Sequence, residues 1–262
     1  MIMENLMHPS NREIKRIARA QLGGQYSLPV LAELIVALLP SLVLLPFSFL
    51  LSNTGSLLQN ILYDLAYFII LILTAVLSAG RMYLQLNLAR RKPFSLSDLL
   101  HCFKVRPDSF ILAFLLYVVY ALPYLVVMIL FGILQNTNPS FTEAPWPLLI
   151  LLIRGVLLVF TIAILLQYAM VFPLLLDNPN TRIRTVFQES RRLMDGNRKR
   201  FLLLLLSFLG YAFLGLLSLG VGFLWINPYL NQSVIVFYQD LIGELSVSPA
   251  GETQDQSSFA QP

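Results

Sequence analysis

From Phe201 to Gln239 the chain runs 39 residues without an Asp, Glu, Lys or Arg. No other feature restricts the fold as strongly, because an apolar run of roughly 18 residues or more fits a helix that crosses a bilayer and few other environments. Four further apolar runs, at 28 to 51, 57 to 80, 109 to 134 and 148 to 176, repeat the pattern. Only helices and closed barrels satisfy their backbone amides in lipid, and these runs lack the alternation of barrel strands. Composition agrees: 57% of the 262 residues are hydrophobic and 12% charged, against roughly 25% charged in a soluble domain. The expectation is an all-α polytopic membrane protein.

The basic residues then orient it. Of 18 Lys and Arg, four precede the first apolar run (Arg12, Lys15, Arg16, Arg19) and six lie between the second and third (Arg81, Arg90, Arg91, Lys92, Lys104, Arg106). Seven follow the fourth run, from Arg182 to Arg200, and the connections at 52 to 56 and 135 to 147 hold none. The positive-inside rule places the N-terminus and both basic loops, 81–108 and 177–200, in the cytoplasm. Arg154 alone departs from that distribution, standing inside the fourth run.

The 39-residue run would extend about 58 Å as one helix, nearly twice the roughly 30 Å hydrocarbon core. Its SLGVG sequence, 218–222, supplies a turn that divides it. Six crossings result, with the C-terminus cytoplasmic; the alternative is a re-entrant or interfacial last segment, since Asn227, Pro228, Asn231 and Gln232 make that half less apolar. The organisation expected is a basic amphipathic segment over 1–27, one transmembrane domain over 28–241 and a disordered polar tail over 242–262. The first 27 residues hold no short apolar core with a small-residue cleavage site, so no removable signal peptide is expected.

A period supports the six-helix reading. Ser10-x-x-Glu13 is a capping-box pattern that opens a helix with Ile14, Ile17 and Ala18 on one face and Arg12, Lys15, Arg16 and Arg19 on the other. Comparable amphipathic stretches begin at Ser95, with Leu96, Leu99, Leu100 and Phe103, and near Thr181, with Ile183, Val186, Phe187, Ser190 and Met194. The three starts, near 11, 95 and 181, are 84 and 86 residues apart. The chain reads as three units, each a basic helix lying on the membrane followed by a helical hairpin.

Residues 177–241 carry a more specific pattern. Asp177 and Pro179, then Ser190, Leu193, Met194 and Gly196, then LSFLGY at 206–211 with Ser207 and Gly210, GVG from Gly220 to Gly222, Pro228 and Tyr229, and FYQDL from Phe237 and Tyr238, form a spaced set. This set resembles the bacterial integral-membrane family known as domain-of-unknown-function family 975. Weaker echoes are IARAQLGGQYSLPVL at 17–31 and SLSDLLHCFK at 95–104. The resemblance implies a multipass protein of about this length whose final helix returns to the cytoplasm at FYQDL, and it implies no activity. Tyr211 stands where the family pattern has tryptophan, an exchange between two amphipathic aromatics. Physically, Gly196 suits a helix end, and Gly210, Gly215, Gly220 and Gly222 suit a turn or close helix approach.

Little in the sequence points to chemistry. One cysteine, Cys102, allows no internal disulfide, and two histidines, His8 and His101, make no zinc cluster. No nucleophile elbow, phosphate loop or catalytic triad is present, and no cofactor is expected. The net charge of +4 comes with no nucleic-acid motif, so the cations are read as holding the cytoplasmic face against anionic lipid. Three ionisable groups in apolar runs are functional candidates by position. Glu33, about 9 Å along the first run, is a candidate inner-face polar site able to meet a basic residue of the first amphipathic helix. Asp64 and Arg154 both enter from the outer side and are candidates for an ion pair clasping two hairpins, against independent snorkelling to water. The leading functional expectation is a noncatalytic accessory or scaffold protein of the bacterial cell membrane. A transporter or permease component is the alternative, and an intramembrane enzyme the third.

Overall fold

The computed structural model describes residues 8–51, 57–143 and 145–247, and within them every regular element is helical. Eleven α-helices follow in order: α1 (Asn11–Leu22), α2 (Ser27–Leu51), α3 (Leu57–Ala89), α4 (His101–Lys104), α5 (Pro107–Thr137), α6 (Trp146–Gln167), α7 (Val171–Asp177), α8 (Ile183–Leu193), α9 (Arg198–Leu206), α10 (Leu209–Leu217) and α11 (Phe223–Leu241). Short 3-10 turns add Leu96–Leu100, Pro139–Thr142 and Glu244–Val247. Five helical stretches are long and apolar enough to cross a membrane: Ser27–Pro46, Leu58–Ala89, Pro107–Thr137, Trp146–Asp177 and Arg198–Leu217. Large apolar side chains cover much of their outer surface, with Ile129, Leu151, Val156 and Phe160 all more than half exposed. That surface is the reverse of a water-soluble one and suits lipid.

Helix packing follows the sequence order. α2 packs along α3, α5 along α6, and α10 against α11, while α3 and α11 are the central pieces that meet most of the others. α11 is the least apolar of the long helices yet is buried from Pro228 to Asp240 over most of its length. Its polar residues therefore face protein.

The basic amphipathic helix α1 forms where its capping pattern predicts, Ser10 Oγ accepting the Glu13 amide at 3.3 Å. Its apolar stripe, Ile14, Ala18 and Leu22, is completely buried. The stripe packs on α11 and α3, so α1 is clipped to the bundle by the face expected to enter lipid. α8 does the same, burying Val186, Phe187 and Ser190 against α7 and α5. The expected second amphipathic helix is present only as a short stretch opened by Ser95, with Leu99 and Cys102 buried. Residues 96–104 form a 3-10 turn that leads into a single α turn; the chain then leaves the helical region at Val105, and Arg106, before α5, sits in the left-handed region at φ 52°. Gly80 explains its position: a Cβ there would overlap the Leu99 carbonyl, so only glycine lets this turn lie on α3.

The fourth apolar run, 148 to 176, contains a break. α6 stops at Gln167, residues 168–170 turn, and α7 resumes at Val171. Pro173 removes the amide that would reach Ala169 and crowds that turn, which is why the helix parts there. The SLGVG turn lies between α10 and α11 as expected, with Gly220 at φ 90° and Gly215 and Gly222 in close contact. A Cβ added at Gly210 would meet no neighbour within 4 Å, so close packing does not account for this glycine. Of the polar tail, residues 248–262 lie outside the described residues, while Glu244–Val247 forms a structured turn.

Candidate functional site

Buried and half-buried charged side chains are gathered into three nodes. In the first, Arg90 at the end of α3 holds Asp177 at the end of α7 through Nη1 at 2.5 Å and Nη2 at 2.9 Å. The same guanidinium donates from Nε and Nη2 to Glu244, at 2.8 and 2.9 Å, and the Tyr238 hydroxyl donates to Asp177 at 2.6 Å. The hydrogen bonds that Arg90 donates to Asp177 and then to Glu244 hold the arginine pKa well above its ordinary value. The guanidinium fork thus ties together α3, α7, α11 and the Glu244–Val247 turn.

In the second, Arg200 of α9 pairs with Asp240 of α11, donates to the Pro9 carbonyl at 3.0 Å, and lies over the Phe237 ring at 4.7 Å. His8 Nδ1 approaches Asp240 Oδ2 at 3.2 Å, and Asn11 donates to the Arg200 carbonyl at 3.1 Å. These contacts bring residues 8–11, the start of α9 and the end of α11 to one end of the bundle. The first node adds the ends of α3 and α7.

The third node is deeper. Glu33 of α2, 5% exposed, is ion-paired with Arg81 of α3 and accepts from Asn227 of α11 at 2.8 Å. Its partner is therefore Arg81 of α3, just past the second apolar run, and not a cation of the first amphipathic helix as expected. Below it lies a buried amide relay. Gln85 donates to the Pro228 carbonyl at 2.8 Å, and Gln232 donates to Gln21 at 2.7 Å.

Asp64 and Arg154 do not join. Asp64 is exposed on α3, Arg154 is half-buried on α6, and no ion pair links them. The reason is packing: α6 lies mainly against α5, while the partners of α3 are α2, α5 and α11. The clasp expected between Asp64 and Arg154 therefore does not form.

Most of the spaced sequence signature falls into this framework. Ser190 on α8 accepts from the Met170 amide at 3.2 Å and donates to the Gln167 carbonyl at 3.2 Å, satisfying both sides of the α6–α7 break. Met194, fully buried, caps α8, and Gly196 follows in the left-handed region at φ 75°. Ser207 marks the kink between α9 and α10, donating back to the Leu204 carbonyl at 2.6 Å. Tyr229 donates to the Lys15 carbonyl at 3.3 Å and packs edge-on against Phe208, under Arg19. Phe237 packs on Phe201 at 5.0 Å. Pro179 sits in the turn after α7.

Sequence reasoning missed Arg90, Glu244, Arg200, Asp240, Gln85 and Gln232. Arg90 and Arg200 looked like ordinary loop cations; for Arg200 the signal was Asp240 at the far end of the same apolar run, and for Arg90 nothing local marked Asp177 as its partner. Among the described residues, no group of three His, Cys, Asp or Glu has the arrangement of a metal site.

On the basic end, α1, the end of α3 and the Glu244–Val247 turn enclose a cleft of about 790 Å³. Arg16, Arg91 and Lys92 supply its charged lining, beside Gln21, Gln25 and apolar Ile17, Leu88, Phe94 and Leu245.

An all-helical chain with five membrane-length apolar helices and ion-paired helix ends has the construction of a membrane protein. It belongs to the family described as protein of unknown function (DUF975), whose model matches residues 3–244. The chain matches no curated protein and no solved structure.

Proposed function

We propose that this is a six-crossing accessory protein of the bacterial cell membrane, without catalytic machinery, that presents a basic cytoplasmic face to anionic lipid or to an acidic partner. One observation carries the reading. α1 and α8 bury their apolar stripes in the bundle and leave Arg12, Arg16, Arg184, Arg191 and Arg192 exposed, so their cations are presented by a rigid frame. At roughly 1 kcal/mol per cation near an anionic surface, several such residues give a substantial attraction.

The sixth crossing is α11. Its 19 residues extend about 28 Å, close to the hydrocarbon thickness. A helix enclosed by α1, α2 and α3 does not need the hydropathy of a lipid-facing one, which accounts for its polar residues. Reconstituted into vesicles of graded phosphatidylglycerol content, the full chain should enrich the anionic lipid around itself. Indifference to lipid charge, with no acidic protein copurifying from native membranes, defeats the reading. Leu219, 95% exposed in the α10–α11 turn, tests the crossing: Leu219→Cys should react with an impermeant reagent added outside intact cells, and protection there until permeabilisation defeats the six-helix topology.

The transporter reading is favoured by one feature, the discontinuous α6–α7 pair, since broken helices line many transport sites. Here, however, Ser190 takes up the peptide groups that a substrate would bind. Substrate uptake lost on Ser190→Ala, with folding retained, would establish this second reading.

A further inference from the structure

The basic cleft at the end of α3 has features that a general cationic surface lacks. Its volume, about 790 Å³, is in the range of small-molecule sites, roughly 300–1,000 Å³. Its charged lining is wholly basic. Arg16 is partly neutralised by Glu13 on its own helix, whereas among the described residues Arg91 and Lys92 have no ion-pair partner. The rest of the wall is amphiphilic: two glutamine amides offer hydrogen bonds, and Ile17, Leu88, Phe94 and Leu245 offer an apolar surface.

The backbone supplies an independent observation. Arg91 adopts φ 54°, in the left-handed region, where it closes the end of α3 with its amide on the Leu88 carbonyl at 3.1 Å and the Lys92 amide on Asn87 at 2.9 Å. Glycine or asparagine fits that position without the steric cost an arginine bears. Residues held in such sparsely populated conformations cluster at binding sites and ligand clamps. The turn places two consecutive cations, Arg91 and Lys92, on the wall of one cleft.

We propose that this cleft binds a phosphate anion carried on an amphiphile, namely the headgroup of an anionic phospholipid. Arg91 and Lys92 neutralise the phosphate, Gln21 and Gln25 hydrogen-bond its oxygens or glycerol hydroxyls, and the apolar wall takes the proximal acyl carbons. The inference rests on the reading of the basic face given above and narrows it to one site.

The test uses the full-length chain purified in zwitterionic detergent, with retained phosphatidylglycerol and phosphatidylcholine counted by native mass spectrometry. Arg91→Gly combined with Lys92→Ala should lower the phosphatidylglycerol affinity by about tenfold, whereas Arg184→Ala combined with Lys199→Ala, an equal loss of charge elsewhere, should change it less than about twofold. Arg91→Gly alone should weaken lipid binding while leaving the unfolding temperature unchanged or raised, because glycine relieves the turn. Equal losses from the two double variants, or wild-type retention in the cleft variant, overturn the site while the wider basic-face reading stands. Equal retention of the two lipids by the wild type removes both. Inorganic phosphate at millimolar concentration should leave the lipid bound; displacement by it at matched concentration would make soluble phosphate the ligand and overturn the lipid assignment.

Discussion

Arg90 grips Asp177 with two parallel hydrogen bonds across 87 positions of sequence, and this fork is the main tie between the ends of α3 and α7. Both side chains are less than one-fifth exposed, so without Arg90 the Asp177 carboxylate loses its charged partner and keeps only the Tyr238 hydroxyl. Arg90→Ala should therefore cost about 2–4 kcal/mol, within the range for breaking a buried pair after allowance for partial exposure. Arg90→Lys, which keeps the charge but loses the fork, should recover only part of it. Thermal unfolding in detergent checks both, and a loss below about 0.5 kcal/mol for Arg90→Ala would show the node to be unimportant to the fold.

Ser190 makes a second long-range tie. Its hydroxyl serves the Met170 amide and the Gln167 carbonyl at once, and the residue is completely buried. Ser190→Ala leaves two peptide groups without partners, at an expected cost of about 1–3 kcal/mol. Retention of the wild-type unfolding temperature would mean that the α6–α7 break closes by itself.

These two residues show what the sequence could and could not reveal. The apolar runs, the turn at SLGVG and the amphipathic stripes of α1 and α8 were legible, because each is a local pattern with its own period or breaker. Ser190 and Asp177 were legible as part of a spaced signature, but not as the partners of Met170 and Arg90, since nothing local says where a side chain finds its distant neighbour. The stripe of α1 misled about its environment: Ile14, Ala18 and Leu22 have the same spacing whether lipid or α11 covers them. Hydropathy likewise ranked α11 last among the long helices because it measures fitness for lipid, and α11 is enclosed by protein.

Glycine gives a sharp contrast between pattern and packing. Gly210 belongs to the spaced signature yet has open space around it, whereas Gly80, in no such set, lies directly under the Leu99 carbonyl. Gly80→Ala should displace the Leu96–Leu100 turn and cost at least about 3 kcal/mol, in the range of severe overpacking. Gly210→Ala should be neutral or stabilising by up to about 1 kcal/mol through helix propensity. Unfolding temperatures of the two variants decide the matter, and the reverse ranking would refute the packing at α3.

Cys102 is fully buried, and burial pushes its thiol up to about 12. A raised thiol pKa means less thiolate at any working pH, so the loss of reactivity is greatest near neutrality. At pH 8 the native protein should react with a maleimide roughly a thousandfold more slowly than a free thiol, and at the full rate once unfolded. Rapid labelling of the folded chain from either side of the membrane would show that the Leu96–Lys104 segment opens readily.

Asp64 and Arg154 should behave as independent residues. With no ion pair between them, and with their helices packed against different partners, the effects of Asp64→Asn and Arg154→Gln on unfolding should add within about 0.5 kcal/mol. Each should also be mild, since Asp64 is exposed and an arginine in this position can extend its head toward water along its apolar stem. A measured coupling above about 1 kcal/mol would mean that α3 and α6 come together in the bilayer, restoring the clasp that the packing of α6 on α5 excludes.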